Sequence, residues 1–318
     1  MKERRDLPTA LGMVRPQNAE GPPCLIAQPT PLLQLQDVLE RFEREAVQGI
    51  CATGRYRCSY ISWGVGPPLV FMHGLGDLAY SFVPVMSILA KDFRCIAYDQ
   101  PGKHGDGAHL GRYTHPDLVH DLFALLDHLG VRQSYVYGSS FGSTIALRAM
   151  QAEPERIPRA ILGGGFARRT LAPAERFLAR LGRYLPGSAR HLPFRKLIGQ
   201  SCLGPLALKR LELFEFFLRN TGDPSLRAMA QRAWMIHELD LGALLSKIHQ
   251  PVLLVCGDCD RVVGRDCEEV LLQGLPQVAR VEVPDCGHMP HYTHPETLAE
   301  LIRRFLTPPS ACCDGEKD

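Results

Sequence analysis

The stretch that decides the fold is Gly138-Ser139-Ser140-Phe141-Gly142, which matches the pattern G-x-S-x-G. Residues 134–137, just before it, predict a strand, and residues 143–150, just after it, predict a helix. A serine at such a strand-to-helix turn is held in a strained backbone conformation that exposes its hydroxyl above the sheet. Glycines on both sides let the chain bend this tightly. Ser140 is therefore a candidate nucleophile, although a plain glycine-rich turn has the same letters.

A serine hydroxyl is a weak nucleophile by itself and needs a base, for which the C-terminal part of the chain offers candidates. Residues 251–257 are a short apolar run closed by glycine, which is typical of a buried parallel strand. Asp258 and Asp260 follow on the next loop, and His288 comes after a further predicted strand. The order along the chain is therefore serine, aspartate, histidine. Either aspartate is a candidate for orienting the imidazole.

The base also has rivals. His291 and His294 lie close behind His288, and either of them is equally explained as a polar residue that opens the last helix. The residues alone leave this choice open.

Two further strands carry a recognisable pattern. Residues 67–72 read as a strand that leads into His73-Gly74, and residues 94–98 as a strand that leads into Asp-Gln-Pro-Gly. Together with Ser140 and the downstream acid and base, these motifs resemble the α/β-hydrolase-fold superfamily, in particular its esterase, epoxide-hydrolase and dehalogenase-like group. The resemblance covers residues 50–306 apart from a middle insert. Serine at position 140 argues against dehalogenase and epoxide-hydrolase chemistry, because those relatives have aspartate there.

The resemblance implies roles for particular residues. Relatives have a G-[ED]-x-D loop whose second acid is catalytic, which implies Asp260, and His288 after glycine fits the family's base. It further implies that the backbone N–H groups of Leu75 and Phe141 form the oxyanion hole, since N–H groups at a helix start point toward a developing negative charge. His73 would shape the loop through hydrogen bonds.

The expected fold is α/β, with a mostly parallel eight-stranded sheet flanked by helices and an inserted helical cap. Outside the insert, strand-like and helix-like stretches alternate along the chain. The predicted division is a core of residues 50–165 and 241–307 and a cap of residues 166–240.

The ends of the chain are expected to lie outside this core. Residues 1–29 are rich in proline and polar groups and predict disorder, and residues 308–318 predict a flexible tail. Thr30-Pro31 reads as a helix start. Apolar residues at three-four spacing then predict an extra amphipathic helix over residues 30–49. That helix packs on the body or forms a homodimer contact, and both interpretations stay open.

The apolar runs and the cysteines of the sequence predict where in the cell the protein acts and which cofactors and partners it lacks. No apolar run reaches the length of about 18 residues that a spanning helix needs, so we expect no stable membrane insertion. The 11 cysteines are odd in number and scattered, which favours reduced thiols in a cytoplasm. Cys256 and Cys259 form a C-x-x-C that overlaps the acid-bearing strand, and we expect neither a metal nor an organic cofactor there or elsewhere. No nucleic-acid partner is expected.

The predicted cap is basic. It holds 13 Lys and Arg and 6 Asp and Glu, so it carries +7 while the whole chain carries +2. Arg176, Arg180 and Arg183 fall on one helical face. They are explained as a solvated face, as a guide for an anionic substrate, or as a contact with an acidic membrane surface.

The apolar residues of the cap predict a substrate with an apolar part. Leu213, Phe214, Phe216, Phe217 and Leu218, with Trp234, suggest an apolar inner side that buries such a substrate. The expected pocket residues are Gly74, Phe166, Trp234 and Met289.

The leading hypothesis is a cytoplasmic serine hydrolase that cleaves a small carboxylic ester through an acyl-enzyme formed on Ser140. The first alternative keeps the same triad but cleaves carbon–carbon bonds or runs cofactor-free perhydrolysis. The second is a non-catalytic receptor or scaffold that uses the pocket only for binding.

Overall fold

The architecture is one eight-stranded sheet with helices on both faces, and a computed structural model describes it for residues 33–191, 195–205 and 209–307. The strand order is β1-β2-β4-β3-β5-β6-β7-β8. The pairs β1–β2 and β2–β4 are antiparallel, and the other neighbours are parallel. The predicted α/β fold is confirmed. The strands are β1 (Val47–Ala52), β2 (Arg57–Trp63), β3 (Pro68–Met72), β4 (Arg94–Tyr98), β5 (Tyr135–Ser139), β6 (Ala160–Gly163), β7 (Val252–Gly257) and β8 (Val278–Val283).

The helices connect the strands across both faces of the sheet. Within the described ranges, no helix is long and apolar enough to span a bilayer. The α-helices are α1 (Leu35–Glu45), α2 (Val83–Leu89), α3 (His115–His128), α4 (Phe141–Ala152), α5 (Pro173–Gly182), α6 (Arg195–Leu203), α7 (Leu211–Asn220), α8 (Leu226–Glu238), α9 (Gly242–Leu245), α10 (Arg265–Gly274), α11 (Pro290–Thr293) and α12 (Pro295–Leu306), and short 3₁₀ turns span Ala79–Phe82, Leu110–Arg112 and Ala189–His191.

The central strands are apolar throughout because both of their faces are covered. In β3, Leu69 and Phe71 pack in the cluster that includes α2 and α12. Val70 and Met72 pack in the cluster on the opposite face, which includes α3 and α4. Successive side chains of a strand point to opposite faces, so one short apolar run serves two cores.

The N-terminal part differs from the predicted boundaries. The helix predicted over residues 30–49 is α1, which ends at Glu45, and β1 begins at Val47, before the core boundary predicted at residue 50. The sequence pattern does not separate α1 from β1, because β1 is an edge strand whose apolar Val47 and Ile50 are exposed. The predicted helix start at residues 30–31, the segment 1–29 and the tail 308–318 lie outside the described residues.

Helix α1 packs on the body of the protein. Phe42 is buried, and its ring meets Trp63 and Tyr80 edge-on at centroid distances of 5.8 Å and 5.1 Å. This packing buries the apolar face of the helix within one chain. The homodimer contact stays a prediction.

The segment predicted as a cap, residues 166–240, joins β6 to β7 and contains α5, α6, α7 and α8. The chain leaves and returns to the core at one place, where the Leu241 N–H donates to the Ala167 carbonyl at 3.0 Å. Arg168 and Asp240 form an antiparallel bridge beside this bond. Below, "the cap" means residues 166–240.

Candidate active site

Ser140 lies at the turn between β5 and α4 in a strained conformation, with φ 51° and ψ −116°. Two flanking glycines permit the turn. A Cβ atom on Gly142 would lie 2.2 Å from the Met72 carbonyl oxygen, and one on Gly138 would lie 2.7 Å from the Gly142 carbonyl oxygen. No side chain fits at either distance, so the turn requires glycine at both positions.

Ser143 supports the turn in a way that the sequence did not reveal. Its hydroxyl donates to the Ser140 carbonyl at 2.6 Å and accepts the Phe166 N–H at 3.3 Å. The hydroxyl therefore ties the first turn of α4 to the chain that leaves β6. Serine in the first turn of a helix is common for many reasons, and the sequence offered no signal for this bridge.

Asp260 and His288 meet in a buried pair. The His288 Nδ1–H donates to Asp260 Oδ2 at 2.8 Å. The side chain of His288 is 2% exposed and that of Asp260 is 3% exposed. Asp260 Oδ1 accepts the N–H groups of Val262 and Val263 at 2.7 Å and 3.0 Å. Burial raises the pKa of Asp260, but the hydrogen bonds to the carboxylate outweigh this and leave its pKa below the usual value. Asp260 is thus held as an anion beside the imidazole.

The rival acid has a different position. Asp258 Oδ1 accepts the N–H of Cys286 at 3.2 Å, so this carboxylate anchors the loop that carries His288. The structure pairs Asp260, and not Asp258, with the imidazole.

The rival bases lie elsewhere. The ring of His291 packs against Phe82 at a centroid distance of 4.9 Å, and its Nε2 lies 3.8 Å from Asp77 Oδ2. His294 Nδ1 pairs with the hydroxyl of Thr293 at 2.8 Å. Neither ring makes a hydrogen bond to Asp260 or Ser140.

Ser140 and His288 are brought to the same edge of the sheet. The Ser140 N–H donates to the Gly163 carbonyl at 2.8 Å. The imidazole lies on the next residue, Gly164, where a Cβ would be 2.7 Å from His288 Cε1. The Ser140 hydroxyl does not hydrogen bond to the imidazole here, and His288 Nε2 is buried without a partner among the described residues. Catalytic hydrogen bonds are often long before substrate binds.

The candidate oxyanion loop passes directly over Ser140. A Cβ on Gly74 would lie 3.4 Å from the Ser140 Cβ. Phe141 is the first residue of α4, so its N–H has no partner within the helix. Among the described residues, neither the Phe141 N–H nor the Leu75 N–H donates a hydrogen bond outside regular secondary structure. Both N–H groups are therefore free to donate, and their role as the oxyanion hole stays a prediction.

His73 holds this loop through hydrogen bonds. Its Nε2 accepts the Gln100 N–H at 3.0 Å, so the proton is on Nδ1, which donates to the Gly74 carbonyl at 2.8 Å. Burial lowers the pKa of His73 to about 4. The ring is therefore neutral at physiological pH.

Arg232 of α8 is the main residue that sequence reasoning missed. It is 4% exposed, and its guanidinium donates to the carbonyls of Leu75 at 2.7 Å, Gln100 at 3.3 Å and Pro101 at 3.0 Å. Burial lowers its pKa to about 10, so it stays charged. This cap residue thereby fixes both the oxyanion loop and the loop after β4. In the sequence it is one of 13 cap cations, and no pattern distinguishes it.

A second link runs from the cap to the histidine loop. The His288 N–H donates to the Cys202 carbonyl at 2.6 Å, and the Gly287 N–H donates to the Leu203 carbonyl at 3.2 Å. These acceptors lie at the C-terminus of α6, where carbonyls lack helical partners. The cap therefore helps to position the imidazole.

Only some of the predicted pocket residues lie close to Ser140 and His288. Gly74 borders Ser140, Phe166 is buried beside α4, and Met289 is half-buried next to His288. Trp234 is different. Its ring lies 6.0 Å from the Arg183 guanidinium and 5.6 Å from the His237 ring, on the side of α8 that faces α5.

Met229 of α8, like Arg232, faces the oxyanion loop. Its Cε would lie 3.2 Å from a Cβ on Gly76. The assignment of Trp234 to the pocket stays a prediction, since a large aromatic residue in a cap helix does not reveal from the sequence which face it occupies.

The aromatic residues of α7 also differ from the prediction. Phe216 and Phe217 pack on Tyr292 at centroid distances of 6.0 Å and 5.1 Å, and Phe216 also packs on Tyr80. Phe214 belongs to the same buried cluster. Their apolar pattern reflects the joint between cap and core, so it does not support an apolar substrate.

The described residues give no evidence for a nucleophilic thiol or for a metal site. No group of three or more His, Cys, Asp and Glu side chains there is arranged to hold a metal. Cys256 and Cys259 are not joined in a disulfide. Burial and the neighbouring carboxylate of Asp260 raise the pKa of the Cys202 thiol to about 11, which keeps it protonated.

In sequence and fold, this chain is similar to known hydrolases. The model of the family described as "Alpha/beta hydrolase family" matches residues 69–301. A relative from Rhodobacter capsulatus, named magnesium-chelatase 30 kDa subunit, is 31% identical, over 80% of this chain and 94% of that protein. A relative from Aeromonas hydrophila, named pimeloyl-(acyl-carrier protein) methyl ester esterase, is 26% identical, over 77% of this chain and 97% of that protein.

A solved structure gives the same picture of the fold. An esterase from Thermogutta terrifontis superposes with a TM-score of 0.72 at 22% identity, and the match covers 82% of this chain and 98% of that one.

Proposed function

This chain belongs to the α/β-hydrolase family, and on that premise we propose that it is a serine hydrolase that cleaves carboxylic esters. Ser140 is the nucleophile, and His288 is the general base and acid. Asp260 orients the imidazole and stabilises its charged form. The observation that carries the proposal is the 2.8 Å bond between His288 and Asp260 at the sheet edge where Ser140 occupies its strained turn.

The proton on His288 Nδ1 leaves Nε2 as the basic nitrogen. Nε2 is buried and has no partner among the described residues, so it is available for the Ser140 hydroxyl when a substrate is bound. As Ser140 Oγ attacks the ester carbonyl, Nε2 takes the hydroxyl proton and Asp260 stabilises the resulting imidazolium.

The carbonyl oxygen gains a negative charge during this attack. The N–H groups of Leu75 and Phe141 are the donors that would hold it. His288 then gives its proton to the leaving alkoxide, and the acyl group stays on Ser140. A water molecule, deprotonated by His288, attacks the acyl carbonyl, releases the acid and restores the serine.

The ester substrate is supported by a relative as well as by the site. The relative from Aeromonas hydrophila is named a methyl ester esterase. Removal of a methyl group from an ester needs only the three side chains and the oxyanion donors named above. A soluble p-nitrophenyl acyl ester is therefore a suitable first substrate.

Two adjacent serines provide the test. Ser140→Ala should fold and lose turnover of p-nitrophenyl butyrate by at least about 10³-fold. Ser139→Ala is the matched control, because its hydroxyl is buried and makes no hydrogen bond within the described part of the chain, so its loss should leave turnover within about twofold. Wild-type turnover in folded Ser140→Ala would refute the assignment of the nucleophile.

A binding role without hydrolysis is the second candidate. It is favoured by the absence of a Ser140–His288 hydrogen bond in the structure and by the relative from Rhodobacter capsulatus, which is named for a magnesium chelatase. Esters, diketones and peroxide assays with the same two variants separate the candidates. Turnover of none of these substrates by the folded protein would favour binding, and Ser140-dependent diketone cleavage with inert esters would favour carbon–carbon hydrolysis.

A further inference from the structure

Helix α5 of the cap packs through small residues and exposes its large apolar ones, which is the reverse of an ordinary surface helix. Amphipathic helices normally turn their large apolar side chains toward the core. In α5 the only buried residue is Ala179, and Gly182 meets Ala230 of α8, where a Cβ would be 3.0 Å from the Ala230 Cβ. Small residues thus attach the helix to α8, and its large apolar residues face solvent.

These apolar residues form one exposed face. The exposed fractions are 67% for Phe177, 64% for Leu178, 45% for Leu181, 76% for Tyr184 and 41% for Leu185. Tyr184 and Leu185 continue the face beyond the helix, because their N–H groups donate to the carbonyls one turn back at 3.0 Å and 3.3 Å. A cluster of this kind marks an interaction surface more often than chance exposure does. We call these five residues the α5 face.

The α5 face is bordered by unpaired positive charge. Arg176, Arg180 and Arg183 follow one side of the helix at i, i+4 and i+7. Arg227 on α8 is also exposed. Within the described ranges, none of the four has a carboxylate within 4.0 Å, whereas the nearby Arg169 and Arg190 are both paired.

From these observations we propose that the α5 face docks the protein on an anionic lipid surface. A convex helix with exposed Phe, Leu and Tyr on one side and arginines along the other fits the plane between headgroups and acyl chains. The arginines complement anionic headgroups, and the apolar residues enter the acyl boundary.

A second copy of this chain fits the face less well. The cap carries +7, so two caps that meet through it would repel each other. A partner protein would need a groove that accepts a convex helix, whereas a lipid surface requires no matching shape. Docking does not depend on hydrolysis and stands or falls separately from the proposed function.

The test is co-sedimentation of the full-length protein with vesicles of phosphatidylglycerol and phosphatidylcholine at low salt. We expect binding to these vesicles and at least tenfold weaker binding to vesicles of phosphatidylcholine alone. The double variants Phe177→Ser with Leu181→Ser, and Arg176→Glu with Arg180→Glu, should each weaken binding at least tenfold.

Matched controls come from the core. Val65 is 80% exposed, and Arg132 is exposed and has no carboxylate within 4.0 Å among the residues that the structure describes. Val65→Ser and Arg132→Glu should bind vesicles like the wild type. Because all of these positions are exposed, thermal unfolding should be unchanged in every variant.

Three results would overturn the proposal. The first is no binding to phosphatidylglycerol vesicles. The second is equal loss of binding in the core controls and the α5 variants, which would place the contact elsewhere on the chain. The third is capture of a soluble acidic protein through the α5 face without vesicle binding, which would assign the face to a protein partner.

Discussion

The sheet edge that carries Ser140 and the cap that contacts it differ in how they are built. Every residue from 141 to 147 in α4 is buried, whereas α5 of the cap buries one residue of ten. The catalytic geometry is therefore set by dense packing and glycine-only approaches in the core. The cap is held by the aromatic residues of α7 and by hydrogen bonds to core loops, and its helix α5 leaves large apolar residues exposed.

Two of the links between these regions end at loops of the candidate site. Arg232 holds the oxyanion loop through the Leu75 carbonyl, and the end of α6 holds the histidine loop through the Cys202 carbonyl. The difference teaches that the cap positions core loops of the candidate site through backbone carbonyls, which is the way it would contribute to the proposed catalysis.

The largest effect is expected from the buried acid of the core. Asp260→Asn keeps an acceptor for the N–H groups of Val262 and Val263 but cannot hold the imidazole in its tautomer or stabilise its charge. We expect kcat to fall by about 10³- to 10⁴-fold, measured with a p-nitrophenyl ester. Asp258→Asn is the matched control and should lose less than about tenfold. Equal losses would show that the choice between the two acids is wrong.

The second prediction compares a glycine of the core with one of the cap. Gly142→Ala places a Cβ 2.2 Å from the Met72 carbonyl oxygen, within a packed backbone, and should lower the free energy of unfolding by about 4 kcal/mol. Gly182→Ala meets only the Ala230 Cβ at 3.0 Å, and α5 can shift outward, so its effect should stay within about 1 kcal/mol. Urea denaturation measures both. A larger loss for the cap variant would reverse the comparison.

The sequence predicted the regions in which the backbone geometry itself requires a particular residue type. The elbow at Ser140 needs glycine at 138 and 142, and the spacing alone reports this. The candidate acids and bases follow strands whose carboxyl ends must meet at one sheet edge, and the family resemblance selects Asp260 and His288 among them. Such constraints act on particular residue types, so they are visible in the letters.

The cap was predicted less well because its decisive contacts use backbone carbonyls and choices of helix face. Arg232 is chemically the same as an exposed arginine, and only the fold shows that it is buried. The aromatic residues of α7 and Trp234 are apolar by type, but their partners are set by tertiary packing. The beginning of β1 was missed since an exposed edge strand lacks a buried pattern.

The third prediction assigns the acid sensitivity of folding to the core. Burial lowers the pKa of both His73 and His115 from 6.5 to about 4. The unfolded chain takes up these protons first, so stability is full above pH 6.5 and falls as the pH drops toward 4. Each histidine contributes at most about 3 kcal/mol to this loss.

The His115→Gln variant isolates one of these contributions. Its free energy of unfolding, measured by urea denaturation from pH 7.5 to about pH 4.5, should fall less steeply than that of the wild type. An unchanged slope would show that His115 is not held neutral in the fold.

The smallest effect is expected from the link between cap and core. Arg232→Met leaves three buried carbonyls without their donor and should lower the free energy of unfolding by about 2 kcal/mol. It should also lower kcat more than it changes KM, because the oxyanion loop acts mainly in the transition state. Arg232→Lys should restore part of kcat. Arg227→Met on the exposed side of α8 is the control, and an equal effect there would remove the positioning role.

The most direct test of the account is to trap the nucleophile. The protein is treated with a fluorophosphonate, and the labelled peptide is mapped by mass spectrometry. We predict one phosphonylated residue, Ser140, with labelling lost in Ser140→Ala and at least about 10³-fold slower in His288→Ala. Labelling of another residue, or none on Ser140 in the folded wild-type protein, would contradict the claim that Ser140, His288 and Asp260 form a working triad.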